Sequence, residues 1–60
     1  AARLADVHNS LGAALEGNGQ WNEAAQEYRA ASELDPSYPL PRANLERVEA
    51  KMKTRDAAAK

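Results

Sequence analysis

Cysteine, phenylalanine and isoleucine are all absent from this 60-residue chain. Without thiols, neither a disulfide framework nor a thiolate metal site can staple so small a fold, and the redox compartment stays undetermined. No stretch approaches the roughly 18 consecutive apolar residues that cross a bilayer. The N-terminus lacks the basic-then-apolar layout of a secretory signal, so no membrane partner is expected and the cytoplasm is the default location. Large apolar side chains are few: Leu, Val, Met and three aromatic residues at scattered positions. A chain this short buries only about 60% of the surface its unfolded form exposes, so marginal stability is expected.

Fourteen alanines supply most of the hydrophobic content. Alanine is the strongest helix former but brings little area to a core, which favours well-specified helices around a thin interior. The net charge of −1 also hides an asymmetry. Residues 1–35 carry −4, and residues 36–60, with Arg42, Arg47, Lys51, Lys53, Arg55 and Lys60 against Glu46, Glu49 and Asp56, carry +3. An acidic first half and a basic tail attract one another, within one chain or between two.

Leu4, Val7, Leu11 and Leu15 recur at helical steps, with Ala14 beside them, and predict an amphipathic helix over about residues 3–16. Gly17-Asn18-Gly19 ends it. A second helix is expected over about residues 21–34, with Asn22 as its cap and Trp21, Ala24, Ala25, Tyr28, Ala31 and Leu34 as its buried face. Alanines on that face let two helix axes approach closely. Asp35-Pro36 stops the helix, because the ring restricts the residue before it and has no N–H. Pro39 or Pro41 suits the first turn of a third helix, whose apolar stripe is Leu45, Val48 and Met52. No glycine or proline follows Pro41, so this helix is expected to run to about residue 58 and overhang the other two. The fold class is therefore all-α: an antiparallel helix-turn-helix hairpin over residues 1–38, plus a long third helix over 39–60.

Leu11-Gly12, Leu15, Gly19, Trp21, Ala24, Tyr28, Ala31 and Leu34-Asp35-Pro36, at these spacings, resemble a tetratricopeptide repeat over about residues 5–38. The resemblance implies that Leu11, Gly12, Leu15, Ala24, Tyr28, Ala31 and Pro36 are the repeat's packing residues. His8 stands where the family carries a bulky Trp or Leu. A strict 34-residue period sets Leu45 in the place of Leu11 but replaces Gly12 by Glu46 and Gly19 by Lys53, so the third helix resembles the extra helix that closes such arrays. The family's interaction groove would offer Asp6, Asn9, Ala13 and Glu16 on the first helix. Members that grip a C-terminal carboxylate use Lys, Arg and Asn there, and the two acids of this chain oppose that reading.

Nothing in the chain points to catalysis, a metal or a cofactor. His8 is the single histidine and has no companion ligands at metal spacing, and Ser10 has no base oriented by a third group. Trp21 and Tyr28 fall on a seam by helical spacing rather than on an open stacking platform. The interleaved acids of the basic tail argue against nucleic acid, and Glu49 and Lys53 make a favourable i, i+4 pair on a solvated face. The expected partner is a protein or peptide, with homo-oligomerisation through Leu45, Val48 and Met52 as the first reading. The closing end of a longer solenoid is the second, and a basic-helix nucleic-acid binder the third.

Overall fold

A computed structural model describes residues 3–58 as three helices: α1 (Arg3–Gly17), α2 (Trp21–Leu34) and α3 (Pro39–Ala58). Among the described residues there is no strand. The α1–α2 hairpin is closed by a turn in which Asn18 N–H bonds the Ala14 and Leu15 carbonyls. Gln20 N–H donates back to Leu15 O at 2.9 Å. This return requires Gly19 in the left-handed region, with φ at 81°. The residue flanking the start of α2 is Gln20, whose carbonyl accepts from Ala24 N–H, and no side chain caps the end. Asn22, expected as the cap, lies inside the first turn because helical geometry already begins at Trp21. At the other end Asp35 N–H still bonds Ala31 O, while its carboxylate accepts from Ser37 N–H and Oγ–H. This turn leads directly into Pro39.

The hairpin packs closely and α3 lies chiefly against α2, so the molecule is elongated, 43 × 19 × 12 Å. Ala24, Ala25, Tyr28 and Val48 form the buried cluster, with Leu15, Trp21, Leu45 and Met52 packed around it. The α1–α2 seam is set by one close approach. A Cβ placed on Gly12 would fall 2.7 Å from Cδ1 and Cε1 of the wholly buried Tyr28 ring, so only glycine lets the two axes come this near.

That approach also decides which way α1 faces. Its fully buried residues are Ala5 and Gly12, whereas Leu4, Val7 and Leu11 are 59%, 55% and 46% exposed. The expected apolar stripe of α1 is thus not its core face. Leu4 and Leu11 each precede a buried small residue and lie about 100° round the helix from it. Leu34, placed by the sequence on the buried face of α2, is also half exposed, at the helix's last residue.

The stripe on α3 needs the opposite correction. Leu45, Val48 and Met52, expected to be free for self-association, pack on α2 of the same chain, and Val48 is wholly buried. The α2 cluster of small residues and Tyr28 is thus covered from two sides, by Gly12 and Leu15 of α1 and by the stripe of α3.

Candidate functional site

Three of the four expected groove residues are turned toward neighbouring side chains. Asn9 accepts a 2.9 Å hydrogen bond through Oδ1 from Asn44 Nδ2 of α3. Asp6 lies beside the Tyr38 hydroxyl, whose pKa is raised, first by burial and then by that carboxylate. Glu16 accepts side-chain hydrogen bonds from Tyr28, Arg47 and Lys51, and Ala13 faces solvent. Of the expected groove residues, Asn9 and Glu16 are thus in contact with α3, while Asp6 and Ala13 stay exposed.

Glu16 sits in the last turn of α1, and its side chain is 8% exposed. Tyr28 Oη donates to its Oε1 at 2.7 Å, Arg47 donates through Nε at 2.9 Å and Nη2 at 2.7 Å, and Lys51 Nζ donates at 2.7 Å. One carboxylate on α1 thereby ties both α2 and α3. The Arg47 pair is bidentate and charge-assisted, the strongest kind of side-chain hydrogen bond. It holds the Glu16 carboxyl far below the usual carboxylate range, with Lys51 and Tyr28 adding to the effect against the opposing cost of burial. Burial, and then the same carboxylate, push the Tyr28 phenol up to about 12. The Arg47 guanidinium is raised in turn by Glu16.

Two further pairs bind helix to helix. His8 Nδ1 lies 2.7 Å from Glu27 Oε1 across the hairpin, and Arg29 reaches Glu49 at 3.5 Å between α2 and α3. The half-buried histidine is thus a packing and hydrogen-bonding residue. Among the described residues no group of three His, Cys, Asp or Glu could hold a metal ion, and no helix is long and apolar enough to cross a membrane.

The expected packing residues divide by position. Gly12, Ala24, Tyr28 and Ala31 are buried and Leu15 is half-buried, while Leu11 and Pro36 are exposed. Leu11 belongs with Leu4 and Val7 to an apolar face of α1 that is left exposed among the described residues. The 34-residue period places Tyr38, just ahead of α3, and Pro41 and Leu45 within it at the corresponding positions. There Pro41 is wholly buried, and Tyr38 and Leu45 are half-buried.

The Glu16 centre was only partly legible in the sequence. Glu16 could be placed on the inner side of α1, but Arg47 and Lys51 stand 31 and 35 residues away. The signal that finds them is the repeat period itself, since laying α3 over α1 sets Lys51 one position beyond Glu16. Searches of curated proteins and of solved structures return no match. The tetratricopeptide repeat model, in contrast, matches residues 5–38, more than half of the chain, over the hairpin and the turn that follows it. With Gly12 against Tyr28 at the seam and a third helix laid on α2, the chain belongs to the tetratricopeptide repeat family.

Proposed function

We propose that this chain is a protein-interaction unit that works by stacking. The uncovered face of α1 takes a helix of the α2 kind from a neighbouring repeat, and α3 closes the array. The exposure of Leu4, Val7 and Leu11 carries this reading. One period later the same positions are held by Tyr38, just ahead of α3, and by Pro41 and Leu45 within it; Pro41 is wholly buried and Leu45 packs against the cluster on α2, so the chain itself contains a partial example of such a face being covered. Each repeat leaves one face open, and stability accrues through nearest-neighbour interfaces.

The outer side of α3 supports its closing role. The period sets Arg42, Glu46, Glu49 and Lys53 where His8, Gly12, Leu15 and Gly19 stand. All four are exposed and charged, and Glu46 brings a side chain where close approach needs none. A further hairpin helix finds no seam there. Catalysis has no place in this reading, and the partner is a protein.

The test is a tandem in which a second copy of residues 5–38 is joined directly ahead of Ala5, in period. Its melting temperature should exceed that of the single chain by at least about 5 °C, the shift expected from roughly 1 kcal/mol in a domain of this size. Leu11→Glu in the downstream copy should remove most of that gain while leaving the single chain's own melting nearly unchanged. A tandem that melts like the single chain, or a gain indifferent to Leu11→Glu, overturns the proposal.

A further inference from the structure

Beyond the stacking face lies a second surface, at the end of the molecule where α3 overhangs the hairpin. Trp21 at the start of α2, together with Arg47, Ala50, Lys51, Thr54 and Arg55 of α3, lines an open cavity of about 490 Å³. That volume falls within the range of small-ligand and peptide side-chain pockets. Its lining is mostly apolar, although half of the residues are cationic. Long basic side chains do this by laying their methylene stems along a surface and keeping their heads in water.

The cations are not equivalent. Arg47 and Lys51 are anchored from behind by Glu16. Arg55 sits over the Trp21 ring, 3.9 Å from its centroid, and reaches the Gly19 carbonyl at 3.4 Å. Among the described residues it has no carboxylate within ion-pair distance. None of the lining residues is acidic; on α3, Glu49 is turned to Arg29, while Glu46 and Asp56, next to Arg47 and Arg55 in sequence, are exposed and stand outside the lining. The result is an apolar floor under a cationic rim, in which Arg55 is held by Trp21 and the Gly19 carbonyl but answered by no carboxylate among the described residues.

We infer that this pocket binds a short acidic peptide segment of a partner protein, seating one bulky apolar side chain against Trp21 and Ala50 while flanking carboxylates pair with Arg55 and Lys51. Charge complementarity selects the occupant, because a purely apolar segment would leave the rim unanswered and a basic one would be repelled. A nucleic acid fits less well: its bases need an open aromatic face, and the guanidinium of Arg55 already covers one face of Trp21. Recognition runs through side-chain carboxylates along the segment, so it needs no terminal carboxylate.

Trp21 is the single tryptophan of the chain and reports directly on the pocket. The experiment titrates the full chain with a short acetylated and amidated peptide in which glutamates flank one leucine, following Trp21 emission. Saturable binding is expected, and replacing the glutamates by glutamines should weaken it at least about tenfold, the scale of one lost charge-assisted contact. Arg55→Gln and, separately, Ala50→Glu should each weaken it to a similar extent. Ala50 is exposed, so the second variant keeps the test sound if the first loosens α3, with circular dichroism verifying helicity. An absent emission change, equal binding of the glutamine peptide, binding that appears only with a free C-terminus, or preferential binding of oligothymidylate each overturns the inference.

Discussion

At the scale of single residues, two contacts govern the hairpin. Gly12 has no room for a methyl group, because the Tyr28 ring it meets is wholly buried and tethered at its hydroxyl to Glu16. Gly12→Ala should therefore destabilise the fold by ~1–3 kcal/mol in urea titration, although alanine is the better helix former by about 1 kcal/mol. Glu16 sets the pH limits. Its carboxyl is lowered on folding from 4.5, so its stabilisation is complete above that value and declines as pH falls below it. Tyr28 is raised on folding from 10.0 to about 12, so its contribution is complete below pH 10 and is lost as pH rises toward 12. Melting temperature should be flat between these limits and fall outside both. Glu16→Gln should lower the plateau by ~1–2 kcal/mol and blunt the acid decline. The loss stays modest because Arg47 and Lys51 are half exposed and regain water when released. Sequence reasoning placed Gly12 on the seam, since its neighbours in the motif are diagnostic. It assigned Glu16 to a groove because the cations that claim it lie a whole repeat away.

Among the elements, α3 depends most on its neighbours. It is the longest helix, of 20 residues, yet among its described residues only Pro41 and Val48 are fully buried. An isolated helix of mixed composition is marginal in water, so its order derives from docking on α2. Val48→Asp should undock it and lower far-UV helicity well beyond the effect of one residue, with hydrogen exchange in α3 accelerating before that in the hairpin. Helix existence and boundaries were legible throughout, because the glycine-rich turn and Asp35-Pro36 punctuate a plain helical period. Helix rotation was not. The pattern of α1 reads as though Leu4, Val7 and Leu11 must be core, but the seam follows the smallest residues, and close approach at Gly12 outweighs leucine area. In α3 the same kind of stripe is buried within the chain. Periodicity gives a helix its apolar face without saying which neighbour covers it.

For the whole molecule, the acidic hairpin and basic tail find each other within one chain, through Glu16 with Arg47 and Lys51, and Arg29 with Glu49 adds a hairpin-to-tail pair of the opposite polarity. The sequence left open whether that attraction acted within or between chains. Because the Arg29–Glu49 pair is exposed and the Glu16 partners are half exposed, raising salt should weaken α3 docking by less than about 1 kcal/mol, measured as a small drop in the urea midpoint. The seam lined by Ala5, Gly12, Ala24, Ala25 and Ala31 has a calorimetric consequence as well. With so little apolar area to hydrate and only 60 residues, the unfolding enthalpy is about 40 kcal/mol, and the heat-absorption peak spreads over roughly 20 °C. A hairpin stacked on α1 adds its enthalpy to the same cooperative event and sharpens that peak. The width of the transition, more than its midpoint, would then count how many repeats melt together.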